Sequence, residues 1–465
     1  MRWMGLAAKI LAGAIVFFVL SIIAYLVIVP PDLLRIASNY SAKIVCSNVF
    51  LAGRDPVEVQ NVDVQAGGHP ILGYINVDVD EPNGVVTARF LGMFATGTAV
   101  YRPGLGCASA PTGNVEAVKQ IAFENADIEQ FTTPLPWPMG EHNARLDNIL
   151  IDETLTGPEM RAVVVIKDGQ LIGETYGSGF NAETPLIGWS MTKTVTALIM
   201  GTIFDEDFTT KTANLFPKWQ RDERRGIRVQ DLMSMSSGLQ WNEGYGSVSD
   251  VTRMLYLEPD MAAFAASLPM DNEDLPHKFQ YSSGTTVLLS KIWQEAASEG
   301  ALLLPHQNLF GPLGMRSATF ETDAAGTYAG SSYLYASARD WARLGQLILN
   351  KGVWRGRRLI GADYLSWMTK GADISLAPWG RPEYGNGQIW LHGPDAGVPD
   401  GIDPDEGFDF PLDTRWMLGH DGQSVAIIPS QGLVIVRMGL TPSKLGYRPQ
   451  MMVSQIINAL GSGLN

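Results

Sequence analysis

The stretch AVVVIKDGQLIGETY, residues 162–176, decides the fold because two strand-like runs flank a tight-turn signal. β-Branched residues favour strands, and Asp168-Gly169 between two such runs is typical of a β-hairpin. A second hairpin is predicted near the carboxyl end, where Ser424–Pro429 and Leu433–Met438 flank a short turn. Strands are therefore expected at both ends of this part of the chain.

Between the two hairpins the apolar residues recur with helical spacing. Helices are predicted over Thr192–Phe204, Thr285–Glu295 and Ala338–Leu349. Strands contributed by both ends around a helical middle predict an α+β fold, in which helices flank an antiparallel β-sheet.

Residues 10–29 predict a transmembrane helix. No charged residue occurs between Ile10 and Val29, and a helix of this length spans about 30 Å, the thickness of a bilayer's hydrocarbon core. Arg2 and Lys9 precede the run, so we expect residues 1–9 in the cytoplasm and the rest of the chain outside. A cleaved signal peptide is the alternative, but the run exceeds the usual ~7–15 apolar residues and no clear A-x-A site follows it.

The segment between this helix and residue 140 carries no catalytic motif. Residues 33–140 contain short β-like runs and turn residues, which predict a small β-rich N-terminal region, and the proline-containing stretch at 132–138 predicts a linker. Residues 141–465 form the predicted catalytic domain. Cys46 and Cys107 are the only cysteines; in an oxidising compartment an even count favours a disulfide, and two buried free thiols are the alternative.

Composition excludes several classes of function. The 465 residues are 46% hydrophobic and 18% charged, which is too apolar for a disordered protein. The net charge of −14 argues against nucleic-acid binding, because neutralising phosphates requires a basic face. The histidines lack metal-binding spacing and G-x-S-x-G is absent, so we expect neither a zinc site, nor an α/β-hydrolase, nor a cofactor.

The motif that carries chemistry is Ser190-Met191-Thr192-Lys193, the only S-x-x-K in the chain, at the start of a predicted helix. Three residues apart on a helix, the serine and the lysine share one face, and the serine lies near the electropositive amino end. Burial would lower the lysine pKa from about 10.4 toward neutrality, so that the amine could take the serine proton. The alternative is a capped helix with an exposed lysine.

Two further motifs follow in a recognisable order. Tyr281-Ser282-Ser283 precedes a predicted helix, and His420-Asp421-Gly422 precedes the carboxyl-terminal hairpin. With S-x-x-K they resemble the S-x-x-K, Y-x-N/S and K/H-x-G triplet of the serine β-lactamase and penicillin-binding-protein superfamily. Residues 229–239 and 309–315 resemble framework segments of its class C-like branch, which includes β-lactamases, D-alanyl-D-alanine peptidases, esterases and 6-aminohexanoate-dimer hydrolases.

The resemblance implies a covalent mechanism. Ser190 would attack a carbonyl and form an acyl-enzyme, while Lys193 holds Tyr281 in a state able to accept the serine proton and return it to the leaving group. The backbone N–H groups of Ser190 and Gln423 would form the oxyanion hole, and Gly422 would let the substrate approach that strand closely. Other Y-x-S sequences occur in the chain, and Tyr281 is chosen for its position between the other motifs.

Two residues depart from the pattern of the β-lactamases. His420 stands where these enzymes typically carry a lysine that binds the substrate carboxylate, and Ser283 replaces the commoner asparagine that orients the substrate. Both changes argue against β-lactamase activity and fit hydrolysis of esters or linear amides. The loop after Trp241 resembles one that brings a tyrosine onto the substrate amide in nylon-oligomer hydrolases, which makes Tyr245 a further candidate; a surface aromatic is the alternative.

We therefore expect a single-pass protein of the bacterial inner membrane with a periplasmic serine hydrolase domain that cleaves a small amide, ester or short peptide. A D,D-carboxypeptidase or β-lactamase acting on carboxylate-bearing substrates is the alternative within the superfamily. A catalytically silent, membrane-anchored binding module is the alternative outside it. The oligomeric state and the role of residues 33–140 stay open at this level.

Overall fold

The computed structural model describes residues 2–65, 68–122, 136–204, 216–271, 278–297 and 300–461. Most of the linker predicted at 132–138 lies outside these ranges. The helices are α1 (Arg2–Ile28), α2 (Asp32–Ala52), α3 (Pro56–Val59), α4 (Val115–Lys119), α5 (Ala144–Leu150), α6 (Glu153–Thr156), α7 (Met191–Ile203), α8 (Val229–Met233), α9 (Asp250–Tyr256), α10 (Met261–Ser267), α11 (Ser283–Ala297), α12 (Gly311–Leu313), α13 (Ala338–Leu349), α14 (Ala362–Thr369) and α15 (Gln450–Gly461). The strands are β1 (Ile75–Asp80), β2 (Val85–Phe90), β3 (Phe94–Arg102), β4 (Gly106–Ser109), β5 (Met160–Lys167), β6 (Gln170–Tyr176), β7 (Leu186–Ile187), β8 (Thr319–Phe320), β9 (Leu334–Ala336), β10 (Val353–Trp354), β11 (Arg357–Arg358), β12 (Arg415–Gly419), β13 (Gln423–Ile428) and β14 (Leu433–Gly439).

The central sheet confirms the predicted fold class. Its strands lie in the order β12-β13-β14-β5-β6, all antiparallel, so the two predicted hairpins are neighbours. Val164 and Ile166 of β5 join the main core, whereas Val163 and Val165 join a second cluster on the opposite face. Because successive strand residues point to opposite faces and both faces are covered, β5 is apolar from Ala162 to Ile166.

The helical middle of the chain covers one face of this sheet. Helices α7, α11 and α13 match the predicted ranges within two residues at each end. Helix α7 contacts β12 on one side and α11 on the other, and Met191 through Gly201 are buried. This packing fixes the amino end of α7 beside the edge strand of the sheet.

The N-terminal region contains the expected β-structure and a helix that was not predicted from the sequence. Strands β1 to β4 form an antiparallel sheet in sequence order, and α2 packs across it. The buried residues of α2 include Ser41, Lys43 and Asn48, so no simple apolar stripe marks the helix. The predicted disulfide is present and joins Cys46 on α2 to Cys107 on β4.

Buried polar contacts attach this region to the rest of the chain. The Lys43 ammonium donates to the Glu321 carboxylate, and both side chains are fully buried. Glu321 also accepts from Ser47 Oγ at 2.8 Å and from the Cys107 amide at 2.6 Å. Because removing one partner of a buried ion pair leaves an uncompensated charge, these contacts specify how α2 docks.

Helix α1 precedes the packed part of the structure. From Lys9 to Ile28 it is long and apolar enough to cross a membrane, and this segment is not buried against the rest of the protein. Its orientation in a membrane remains the prediction made from the flanking charges.

Gly97 tests the docking of α2 on β3. A Cβ at this position would lie 2.4 Å from the backbone of Ser38 and Asn39, whereas a Cβ at Gly73 would meet nothing within 4 Å. We expect Gly97→Ala to lower the free energy of unfolding by about 1–3 kcal/mol, the usual cost of overpacking, and Gly73→Ala to leave it nearly unchanged. Denaturant unfolding of both variants checks this; equal midpoints would contradict the close contact between α2 and β3.

Candidate active site

Ser190 lies at the amino end of α7, in the turn that faces β12. Its backbone is helical, and its hydroxyl makes no capping hydrogen bond. A Cβ on Gly419 would lie 2.2 Å from the Gly188 carbonyl oxygen, so only glycine lets the end of β12 approach this turn. The serine hydroxyl is therefore free for a contact other than capping.

Lys193 makes that contact. Its Nζ lies 3.1 Å from Ser190 Oγ, 3.0 Å from Ser283 Oγ and 3.1 Å from the Ser331 carbonyl oxygen. The residue is 1% exposed, which excludes the alternative of an exposed lysine on a capped helix. Burial lowers the pKa of Lys193 to about 8, against an opposing effect of the Glu243 carboxylate.

Tyr281 lies just before α11 and close to the Lys193 amine. Its ring centroid is 4.7 Å from Lys193 Nζ, and the ring stacks on Trp390 at 5.3 Å. Burial raises the pKa of the Tyr281 phenol well above its usual value, the Glu243 charge raises it further, and a hydrogen bond with Ser190 partly offsets both. The phenol is consequently neutral and close to the serine hydroxyl.

Glu243 is the residue of this cluster that was not predicted from the sequence. Its carboxylate accepts from the Ser283 amide at 2.8 Å, from Ser283 Oγ at 2.6 Å and from Trp241 Nε1 at 2.5 Å. The available signal was an acidic residue two positions before Tyr245 in the same loop. That signal is weak, because the contact with Ser283 joins residues 40 positions apart.

The side chains of Ser283 and Gln423 are buried and do not line the cavity that opens at Ser190. Ser283 is fully buried and bridges Lys193 to Glu243. The Gln423 side chain is buried and its carbonyl accepts from the Gly439 amide at 2.9 Å. The backbone amides of Ser190 and Gln423 remain the predicted oxyanion donors.

His420, Gly422 and Tyr245 lie around the same opening as Ser190. The rings of Tyr245 and His420 are 5.4 Å apart, and the Tyr245 hydroxyl donates to Glu243 Oε1 at 3.3 Å. Gly422 has φ +81°, and a Cβ there would lie 2.8 Å from the Arg437 guanidinium. Its glycine is therefore explained by the turn and by Arg437 as well as by the expected approach of substrate.

These residues line a cavity of about 480 Å³ that opens at Ser190. Trp390 and His392 in its wall were also not predicted; His392 is buried, which lowers its pKa, and its Nε2 has no hydrogen-bond partner within the described ranges. The described lining contains no lysine or arginine. It contains five acidic residues: Glu243, Glu383, Asp395, Asp400 and Asp421.

The arrangement brings a hydroxyl, a buried amine and a neutral phenol into one chain of contacts. A neutral lysine has a lone pair, and the Ser190 hydroxyl can rotate to donate to it. The tyrosine can supply a proton on the other side. Cys46 and Cys107 lie in the N-terminal region and take no part in this cluster.

The part of the chain that contains these residues is similar to known proteins. A family model described as Beta-lactamase matches residues 157–446. A 6-aminohexanoate-dimer hydrolase of Paenarthrobacter ureafaciens is 23% identical over an alignment of 316 residues, and the match covers 63% of this chain and 74% of that protein.

Solved structures agree on the fold. A Bacillus anthracis protein assigned provisionally as a 6-aminohexanoate-dimer hydrolase superposes with a TM-score of 0.56 at 20% identity, covering 72% of this chain and 91% of that one. EstCE1, a hydrolase with promiscuous acyltransferase activity, superposes with a TM-score of 0.53 at 16% identity, covering 68% and 97%. At such identities the likeness establishes the fold alone.

The pKa of Lys193 provides a test of the cluster. If the neutral amine activates Ser190, labelling by a fluorophosphonate should rise with pH through about 8, because the neutral fraction grows as the pH passes the pKa. Glu243→Gln removes a charge that raises this pKa, so the rise should move to lower pH. Glu295→Gln, at an exposed position on α11, is the control. A rise that moves upward or stays in place in Glu243→Gln would refute the coupling.

Proposed function

This chain belongs to the beta-lactamase family of hydrolases, and from that premise we propose that it hydrolyses an amide or ester bond through a covalent acyl-enzyme on Ser190. The observation that carries the proposal is the 3.1 Å contact between Lys193 Nζ and Ser190 Oγ at the opening of the 480 Å³ cavity. A hydroxyl becomes a competent nucleophile when a neighbouring base removes its proton, and this amine is both adjacent and buried.

The two pKa shifts support the following assignment of the proton transfers. Neutral Lys193 takes the Ser190 proton as the serine oxygen attacks the carbonyl, because the pKa of this amine is lowered to about 8. Tyr281 stays protonated in the free enzyme, since its pKa is raised. It therefore acts as the proton donor to the leaving group and is reprotonated from Lys193, a reversal of its expected role as the first acceptor.

The tetrahedral oxyanion would be stabilised by the backbone amides of Ser190 and Gln423. Gln423 begins β13, directly across from Gly419, the residue that approaches the turn before Ser190. Water then attacks the acyl-enzyme: neutral Lys193 takes one proton from the water, and the same amine or Tyr281 protonates Ser190 Oγ as the acyl bond breaks.

The charge of the cavity favours neutral or amine-bearing substrates. Five acidic side chains and no lysine or arginine lie in its described wall, and the one histidine beside Gly422, His420, has its Nε2 3.4 Å from the Asp421 carboxylate. A substrate carboxylate would meet repulsion in a partly enclosed site, where charges are less screened than in water. This electrostatic field argues against a β-lactam or a D,D-peptide as the substrate.

The location proposed for this activity is the outer face of a bacterial inner membrane. Helix α1 has the length and composition to anchor the chain, and the positive charges before it favour a cytoplasmic amino end. The disulfide between Cys46 and Cys107 fits an oxidising compartment. The hydrolase would then act on substrates near the membrane surface.

Loss of the nucleophile is the first test. Wild-type protein is expected to hydrolyse p-nitrophenyl acetate and to be labelled by a fluorophosphonate at Ser190, as read by peptide mass spectrometry. Ser190→Ala should abolish labelling and lower kcat/KM by about 10⁴-fold or more. Folded wild-type protein that neither turns over esters nor takes the label would favour a binding module instead.

Substrate charge provides a second test. Acetate esters of phenols that carry a para CH₂NH₃⁺, CH₂OH or CH₂COO⁻ group differ in charge but little in leaving-group chemistry. We expect the first two to have kcat/KM values roughly tenfold above the third, with a gap that narrows at high salt because screening weakens the repulsion. Preference for the anionic ester, or rapid turnover of nitrocefin, would favour the lactamase and peptidase alternative.

A further inference from the structure

A second cavity lies between the N-terminal region and the catalytic site. Its volume is about 260 Å³. Leu33, Ile36, Ala37 and Tyr40 of α2 form one wall, and Ile71 and Leu72 add a further apolar edge. The wall therefore comes largely from the part of the chain that carries no catalytic motif.

The opposite wall belongs to the catalytic site. Trp189, which directly precedes Ser190, lines this second cavity together with Tyr245 and His420. Tyr245 and His420 also line the 480 Å³ cavity that contains Ser190. The two cavities thus share this pair of rings in their walls.

The second cavity contrasts with the first in chemistry. None of its described lining residues is an acid, a lysine or an arginine. Tyr256 also lines it and packs edge-on against Tyr40, with the ring centroids 5.5 Å apart. Hydration of such a surface is unfavourable, so an apolar group is the ligand that gains most from entering. The first cavity offers the opposite environment for a polar group.

Other apolar parts of the chain lie near this cavity. Leu33 lies five residues after Ile28, the last residue of α1, so the two are at most about 18 Å apart along an extended chain. Tyr74, Leu91 and Met93, near the start of β3, add exposed apolar side chains. Helix α1 also contacts β3. The wall of the cavity therefore begins close to the end of the apolar helix that would hold the protein at a membrane.

We propose that the cavity formed by α2, Trp189, Tyr245 and His420 binds an apolar hydrocarbon chain of the substrate. This inference rests on the proposed hydrolase function and names its substrate class: an ester or amide with an aliphatic chain on one side of the scissile carbonyl and a neutral or cationic group on the other. The chain lies in the 260 Å³ cavity and the polar group in the acidic one. The N-terminal region acts as a wall of the substrate site.

The size of the cavity sets the expected chain length. A cavity of about 150 Å³ accommodates a six-carbon benzene ring, so 260 Å³ corresponds to roughly ten carbons. Each methylene that enters an apolar site raises kcat/KM by at most about fourfold. A gain should therefore build up from two to eight carbons.

The experiment measures kcat/KM of the full-length protein in lipid nanodiscs, since detergent chains would compete for the cavity. One series consists of p-nitrophenyl esters from acetate to octanoate, which lengthens the acyl side. A second consists of acetate esters of linear alcohols of the same lengths, which lengthens the leaving-group side. We expect at least a tenfold gain with chain length in one series, and that series identifies which side of the carbonyl carries the chain.

Two substitutions place a ring in the cavity. Ala37→Phe fills it from α2, and Ser247→Phe fills it from an exposed loop position, which keeps the test valid if the first variant fails to fold. Both are expected to lower the ratio of octanoyl to acetyl kcat/KM, or its alcohol-series equivalent, by at least tenfold. Ala52→Phe is the control. Ala52 is the last residue of α2 and lines neither cavity, so this variant should keep the wild-type ratio.

The outcomes separate this inference from the function on which it rests. Ser190-dependent hydrolysis of acetates with no chain-length gain in either series overturns the apolar site and leaves the hydrolase in place. A gain that both ring-inserting variants retain also overturns it, since the chain then binds elsewhere. Absence of any Ser190-dependent hydrolysis overturns the proposed function itself.

Discussion

Burial of the Lys193 amine is the constraint on which the catalytic site depends. An ammonium group removed from water is costly unless oxygen atoms replace its hydration, and here three oxygens lie within 3.1 Å of Nζ. Two of them are serine hydroxyls, which can donate as well as accept, so the site tolerates both the charged and the neutral amine. The only carboxylate of the cluster, that of Glu243, acts through Ser283. The Glu243 charge limits the fall in the pKa of Lys193, although the carboxylate does not contact the amine directly.

The position of this amine follows from how α7 is held. Thr194 Oγ1 donates to the Gln388 carbonyl at 2.6 Å, and Thr196 Oγ1 donates to the Gly330 carbonyl at 2.9 Å. These contacts, together with packing against β12 and α11, fix the first two turns of the helix. A side chain held by its backbone on a rigid element loses little freedom when it reacts, which is the requirement for a preorganised site.

The elements that could be predicted are those encoded by residues close together in the sequence. The two hairpins and the three main helices follow from apolar periodicity and turn residues, and Ser190 with Lys193 follows from spacing on one helix turn. Glu243 and the helix α2 were not predicted, because both depend on contacts between distant residues. Glu243 takes its place in the site through its hydrogen bond with Ser283. The polar residues of α2 are buried by the N-terminal sheet and by the ion pair between Lys43 and Glu321. The acidic wall of the catalytic cavity likewise assembles residues from 243 to 421.

The central claim is that Ser190 carries the acyl group during turnover. Rapid acid quenching of the protein with a p-nitrophenyl ester, followed by mass spectrometry of its peptides, tests it most directly. The account predicts an adduct of the acyl mass on the peptide that contains Ser190, formed at the rate of the first p-nitrophenol release. Turnover that proceeds while Ser190 stays unmodified, or an adduct on another residue, would contradict it.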